Sequence, residues 1–248
     1  MLEVLGRHGS GASLDELATS LSLPKSSLHR TLAALRERGF ATQREDGRYL
    51  LGPELLRIAF DFYDRLDVRV LLRPTLERLR GELNETIHLG VLDGADVVYV
   101  DKLEPTQPIA LSSKVGGRNP AHCTAVGKAL LAFLSEDELE RIIALGLPAS
   151  TPRTIVEPKA LRRELATVRA RNYAVDDEES EIGLRAIAAP IRIYSGNVVA
   201  AISIAGPVHR MARKTLLGWV RELVDAADAV SQRLGWQPSR AEALSKRA

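Results

Sequence analysis

Residues 13–52 read SLDELATSLSLPKSSLHRTLAALRERGFATQREDGRYLLG, and this stretch decides the architecture of the N-terminal part of the chain. Ser13-Leu14-Asp15-Glu16 has capping-box spacing, in which the Ser13 hydroxyl and the Glu16 carboxylate satisfy each other's orphan backbone donors at a helix start. Leu14, Leu17, Ala18 and Leu21 then recur at i, i+3, i+4 and i+7, the period of one helical face. Ser22-Leu23-Pro24 separates this helix from a second one that runs to Arg38. Pro24 suits a helix start, where no backbone donor is lost.

The second helix carries Leu28, Leu32 and Leu35 on one stripe and leaves Lys25, Ser26, Ser27, His29, Arg30 and Ala33 on the other faces. Gly39 stops it, and residues 40–51 follow as two short strands around Glu45-Asp46-Gly47-Arg48, where Asp-Gly favours a tight hairpin turn. Helix, turn, helix and hairpin in this order make a winged helix-turn-helix, and the partner it points to is double-stranded DNA. In the usual docking of such motifs the start of the second helix meets base edges. Ser26, Ser27 and Arg30 are therefore expected nearest bases, Lys25 at phosphate, and His29 and the wing residue Arg48 beside them. Small helical domains with a charged face also serve protein contacts, and it is the order and spacing that favour DNA. Charge alone does not: residues 1–52 hold seven Lys or Arg against six Asp or Glu, so phosphate attraction is moderate per subunit and doubled in a dimer.

The whole chain has 248 residues, 45% hydrophobic and 27% charged, enough for one sizeable core beyond the first domain. No apolar run approaches membrane-spanning length and no signal peptide opens the chain, so no membrane partner and a cytoplasmic location are expected. Met1 opens inside an apparent helix (Leu2, Leu5), as expected of a start that is either trimmed or misassigned. Cys123 is the only cysteine, which excludes an intrachain disulfide and a thiolate-rich zinc site and fits a reducing compartment.

Gly52-Pro53 breaks the last strand, and residues 54–66 read as a helix with Leu55, Ile58, Ala59, Phe62 and Leu66 on one side. With Phe60 and Tyr63 it forms either a dimerisation surface or a face packed on its own domain. A further helix is expected over residues 68–85. Strands are expected over 86–92, 97–103 and 108–114, then helices over 121–134, 136–145 (behind the capping box Ser135-Glu136-Asp137-Glu138) and 158–171. Strands return at 173–176, 184–193 and 198–205, and an amphipathic helix spans 211–234. This order predicts an α+β fold, an antiparallel sheet flanked by helices, with domains at 1–52, 53–67 (linker helix), 68–236 and a polar tail at 237–248.

Enzyme motifs fail on the letters. Gly127-Lys128 suggests a phosphate loop, but position 122 is His and residue 129 is Ala. There is no G-x-S-x-G elbow and no H-E-x-x-H spacing, so neither a hydrolase nor a catalytic metal is expected, and no cofactor.

Several segments together carry a family resemblance: Leu23-Pro24-Lys25-Ser26-Ser27-Leu28-His29-Arg30-Thr31-Leu32; Gly47-Arg48-Tyr49-Leu50-Leu51-Gly52; Ala121-His122-Cys123-Thr124-Ala125-Val126-Gly127-Lys128 and the following Ala-Leu-Leu-Ala; Thr151-Pro152-Arg153-Thr154-Ile155; and Asn172-Tyr173-Ala174-Val175-Asp176-Asp177-Glu178-Glu179. In their order and spacing the chain resembles the IclR family of bacterial transcriptional regulators along nearly its whole length. The resemblance implies an N-terminal winged helix-turn-helix, a dimerising linker helix and a C-terminal effector domain similar to GAF-type sensor modules. It further implies a homodimer or dimer of dimers that represses or activates an operon for small-molecule catabolism. Carried over from the family's effector pocket, the ligand-binding positions are His122, Thr124, Ala125, Asp176, Ala186, Ser203 and Ala205. Thr124 and Ser203 hydroxyls with free amides near Ala125 suit the carboxylate of a small organic acid, and Asp176 suits a ligand hydroxyl or amine. Ala186 and Ala205 make the pocket floor small and apolar. The competing expectation is a DNA-binding regulator whose C-terminal domain only oligomerises and binds no effector.

Overall fold

The computed structural model describes residues 1–238 apart from 66–67, 107–110 and 112, and side chains 60–69 also fall outside the described residues. The apolar contributions expected of Phe60, Phe62, Tyr63 and Leu66, and most of the polar tail, therefore lie outside them. The chain divides into two compact units, Met1–Asp67 and Val68–Ala248.

The first unit contains α1 (Leu2–Arg7), α2 (Leu14–Leu21), α3 (Lys25–Glu37), β1 (Ala41–Gln43), β2 (Tyr49–Leu51) and α4 (Glu54–Arg65). The Ser13 hydroxyl accepts from the Glu16 amide at 3.2 Å while the Glu16 carboxylate accepts from the Ser13 amide at 2.7 Å, so the capping box is complete. Ser22 ends α2 in the left-handed region (φ 52°), and Pro24 stands at the cap of α3 rather than inside it. Leu5, Leu17, Leu28 and Leu32 are fully withdrawn around Ala12, Ala41 and Tyr49. Burying each such leucine contributes about 1.5–3 kcal/mol. β1 and β2 pair antiparallel, Ala41 opposite Leu51, and Ala12 bridges Tyr49 to extend the wing toward the helices.

The second unit contains α5 (Val68–Leu83), β3 (Thr86–Asp93), β4 (Asp96–Leu103), β5 (Arg118–Pro120), α6 (Ala125–Leu131), α7 (Glu136–Ala144), α8 (Pro158–Arg171), β6 (Ala174–Asp177), β7 (Leu184–Arg192), β8 (Val198–Pro207) and α9 (Arg213–Arg233). Among the described residues, its six strands form one antiparallel sheet in the order β5-β4-β3-β8-β7-β6. Alternation along β7 and β8 turns Ala186, Ala188, Ala201 and Ala205 toward α6, where they join Ala125, Val126, Ala129 and Leu130 in one core. The small side chains let the helix lie close. A Cβ added at Gly90 on β3 would stand 2.7 Å from the Val126 side chain, so only glycine fits beneath α6 there.

Two expectations are corrected. Of the strand expected over 108–114, residues 107–110 and 112 lie outside the described residues, and Leu111, Ser113 and Lys114 are not in a strand. The edge strand is instead β5, paired to β4 with Asp96 opposite Pro120. The single helix expected over 121–134 is split: Ala121–Cys123 is a 3-10 turn and α6 starts only after Thr124, whose hydroxyl accepts from the Gly127 amide at 3.0 Å. A side chain at Gly127 would meet the Ala121 carbonyl at 2.1 Å, so glycine allows the turn to fold back on the helix start.

Candidate functional site

On the first unit, α3 presents Lys25, Ser26, His29 and Arg30 to solvent, with Ser27 half-buried beside them. The stripe of Leu28 and Leu32 anchors the opposite face, so the helix cannot roll these residues inward without exposing core. Lys25 pairs with Asp15 of α2, and the Ser27 carbonyl accepts from the Thr31 hydroxyl at 3.0 Å. Arg30 has no acidic partner among the described residues, which leaves its five donors for an external acceptor. Arg48 behaves differently. Its guanidinium donates to the Gly11 carbonyl at 2.8 Å and to Glu16 at 3.3 Å, tying the wing to the start of α2.

In the second unit the start of α6, the loop after β6 and the inward faces of β3, β4, β7 and β8 enclose a narrow cavity of about 60 Å³. Thr124, Ala125, Asp176, Ala186, Ser203 and Ala205 all line it, so six of the seven positions expected from sequence meet in one place. His122 does not join them. Its ring is buried but turned away, and Nε2 lies 3.0 Å from the Pro148 carbonyl, to which it must donate. His122 sits in the 3-10 turn that precedes α6.

The cavity also holds residues that sequence reasoning missed. His88 on β3 stands opposite Ser203 on β8, with Nδ1 3.4 Å from the Ser203 hydroxyl and Nε2 2.8 Å from the Ser113 hydroxyl. Burial, reinforced by the Lys102 ammonium, pushes its pKa down to about 3, so the imidazole is neutral at physiological pH. Tyr99 lies against it with ring centroids 4.6 Å apart, and burial raises its phenol above the ordinary range. The Asn119 amide donates to the Tyr99 oxygen across a long 3.5 Å. A polar residue at an inward position of an otherwise apolar strand was the one signal that could have found His88.

Asp176 is almost completely buried. Its Oδ1 accepts from the amides of Glu179 at 2.8 Å and Ser180 at 3.3 Å, and Oδ2 accepts from the Ser180 hydroxyl. Burial raises its pKa, and these hydrogen bonds oppose the rise. Asp176 thus holds the 176–180 turn in shape as well as facing the cavity. Behind that turn Lys128 of α6, 1% exposed, pairs with Glu179 and approaches Glu164 at 3.6 Å. Cys123 stays a thiol, its pKa pushed up to about 11 by burial.

The N-terminal residues 1–45 match the IclR helix-turn-helix domain, and residues 60–232 match the bacterial transcriptional regulator IclR C-terminal domain. The chain belongs to the IclR family. It is 33% identical over 239 residues to the transcriptional repressor IclR of Escherichia coli, covering 95% of this chain and 87% of that one. It is 34% identical to the acetate operon repressor of Salmonella typhimurium, with 88% and 82% covered. Among solved structures, the Agobacterium tumefaciens repressor BlcR superposes with a TM-score of 0.82 at 32% identity over 96% of this chain and 95% of that one. Pseudomonas aeruginosa HmgR gives 0.80 at 27% identity, with 96% of each chain covered. As an IclR-family member the chain is a DNA-binding transcriptional regulator and not an enzyme. Among the described residues no helix is long and apolar enough to cross a membrane.

Proposed function

We propose that this regulator is ligand-responsive: a small organic acid binds in the C-terminal cavity and alters operator binding by the N-terminal winged helix, in the cytoplasm and on a catabolic operon. The observation that carries the reading is the cavity's inventory of donors. Thr124, Tyr99 and Ser203 bring three hydroxyl-bearing side chains to the wall of a polar space, and the first amides of α6 precede the point where intrahelical bonds begin. The Asp176 carboxylate adds an acceptor for a hydroxyl on the same ligand, so a small hydroxy acid suits both ends.

An adjacent open groove holds Arg73, Arg80, Lys102 and Lys114 and shares Leu111 and Ser113 with the cavity wall. Its lining also holds Glu77 and Glu104, which pair with Arg73 and Lys102, so the positive excess there is modest. That one similar relative is named for the acetate operon agrees with an acid-linked role.

On the DNA side, Ser26, Ser27 and Arg30 read bases, Lys25 and His29 meet the backbone or groove edge, and Arg48 supports the wing. Leu56, 62% exposed on α4, and Ile58, 43% exposed, with Leu51 on β2, leave apolar surface that a second copy would cover, giving a homodimer with two half-site readers.

The test is fluorescence anisotropy of the purified protein on the duplex upstream of its own gene, against scrambled duplex, at fixed salt and with a panel of small carboxylic acids. Selective binding shifted by one acid supports the reading. Selective binding that no acid of any size shifts would favour a C-terminal domain that only oligomerises.

A further inference from the structure

The hydroxyls in the cavity differ in how their direction is set. Thr124 accepts from the Gly127 amide, a backbone donor that cannot reverse, so the Thr124 proton is left to point elsewhere. Tyr99 accepts from the Asn119 side-chain amide, and its phenol stays protonated because burial raises its pKa. Ser203 faces only an imidazole nitrogen, and that nitrogen either donates or accepts according to where the ring carries its proton. If Nδ1 bears the hydrogen, Ser203 accepts from it and turns its own proton toward a ligand. If Nε2 bears it, Ser203 donates to Nδ1 and shows the cavity lone pairs alone.

The surroundings of the ring decide between the two. Lys102, opposite His88 on the neighbouring strand, sends its ammonium to the Ser113 carbonyl at 2.6 Å and to the Leu111 carbonyl at 3.4 Å, and pairs with Glu104 at 2.9 Å on the exposed side. The cation therefore sits on the Ser113 side, where Nε2 points. Asp176 lines the same cavity as Ser203. The ammonium, close to the Nε2 side of the ring, disfavours a hydrogen on Nε2 and favours one on Nδ1. Ser113 stands 2.8 Å from Nε2, within reach for its hydroxyl to donate to an unprotonated ring nitrogen.

We propose that His88 sets the effector class: held as the neutral Nδ1–H tautomer between Ser113 and Ser203, it makes the Ser203 hydroxyl a donor and so tunes the cavity for an anion. This rests on the ligand-responsive reading above and deepens it. Ser113 donates to Nε2, Nδ1–H donates to Ser203, and Ser203 joins Thr124 and Tyr99 as a third proton directed at a carboxylate. His88 is a positioning residue here; Ser203 makes the contact.

The decisive experiment is long-range proton–nitrogen NMR on the full chain with nitrogen-15 histidine. The chain has five histidines, and His122 supplies an internal standard, because its Nε2 faces a carbonyl and must carry the proton. His122→Gln removes that signal and assigns the other buried ring. The expected spectrum shows His88 neutral, with the hydrogen on Nδ1, and unchanged between about pH 6 and pH 8. In the operator assay with acetate, glycolate and pyruvate as probes, His88→Asn, whose amide N–H replaces Nδ1–H, keeps the acid response. His88→Leu weakens it about tenfold, the factor for one hydrogen bond to a charged group. A Nε2–H or charged ring, or an unaltered response in His88→Leu, overturns the role of His88. The spectrum needs neither DNA nor effector, so a Nδ1–H ring in a protein that answers no acid sinks the functional reading instead.

Discussion

Lys128 and Glu179 form an ion pair in which the ammonium is 1% exposed and the carboxylate side chain 11% exposed, directly behind the turn that walls the C-terminal cavity. Glu179 is further held by its carbonyl, which accepts from the hydroxyl of Thr154 at 2.7 Å. Its Oε2 is buried with no hydrogen-bond partner among the described residues. The pair therefore carries a desolvation cost while tying α6 to the 176–180 turn. Removing one partner strands the other. Lys128→Met is expected to cost about 3–5 kcal/mol, and Lys128→Met with Glu179→Leu to recover most of that loss, because an apolar pair needs no solvent. Urea unfolding of the two single variants and the double variant measures this; a double variant as weak as the sum of the singles contradicts it.

Glu179 also predicts a pH dependence. Burial, opposed by Lys128, raises its carboxyl from 4.5 to about 7, so the folded protein holds this proton more tightly than the unfolded chain. Stability from this group is fully present below the ordinary glutamate range, falls as pH rises through about 7 and levels off above it. Asp176, shifted upward by burial, acts in the same sense. Unfolding midpoints between about pH 5 and pH 8 should fall for the native chain and fall less for Glu179→Gln. Equal slopes would show that Glu179 does not titrate there.

The DNA-binding unit was legible because its signals are local. A capping box, a leucine stripe and an Asp-Gly turn each lie within a few residues, and α2, α3 and the wing formed where those signals placed them. The sheet was legible wherever alternation ran long, as in β7 and β8. β5 was not, since three residues ending in proline carry no period, and its pairing with β4 is a tertiary fact. The cavity shows the same division. Thr124, Asp176 and Ser203 came from positions carried over from the family, whereas His88, Tyr99 and Asn119 reach the cavity only through strand register. His122 was misplaced because the Thr124 cap and the Gly127 contact, which end the 3-10 turn, depend on packing against Ala121.

Gly127 allows a direct test of that turn. A methyl group there would overlap the Ala121 carbonyl, backbone against backbone, and neither side can yield without moving α6. Gly127→Ala is expected to destabilise the second unit by about 1–3 kcal/mol or more, despite alanine's better helix propensity. A thermal melt at or above the native midpoint would mean that the turn relaxes freely.

Arg30 lies on the solvent side of α3 without an acidic partner among the described residues, so its removal leaves the fold unchanged. Arg30→Ala should weaken operator binding by about 1–3 kcal/mol, with far less effect on scrambled DNA, if the guanidinium reads a base. Equal weakening on both duplexes, together with a shallower salt dependence, would assign it to phosphate instead. Unchanged affinity would remove it from the interface.

Asp176 combines two roles that a single substitution can separate. Asp176→Ala deprives the Glu179 and Ser180 amides and the Ser180 hydroxyl of their acceptor, at about 1–3 kcal/mol for each group left buried and unpaired. Asp176→Asn keeps one acceptor oxygen and removes the charge. The alanine variant should therefore lose both stability and acid response while retaining operator affinity, because the residues proposed to read DNA lie in the other unit. The asparagine variant should lose less stability and, with a carboxylate removed from the cavity, bind a simple acid such as acetate more tightly but a hydroxy acid such as glycolate less selectively. Melting temperatures of the two variants and anisotropy titrations of each with the two acids separate the roles. An asparagine variant with the native preference between them would restrict Asp176 to holding the turn.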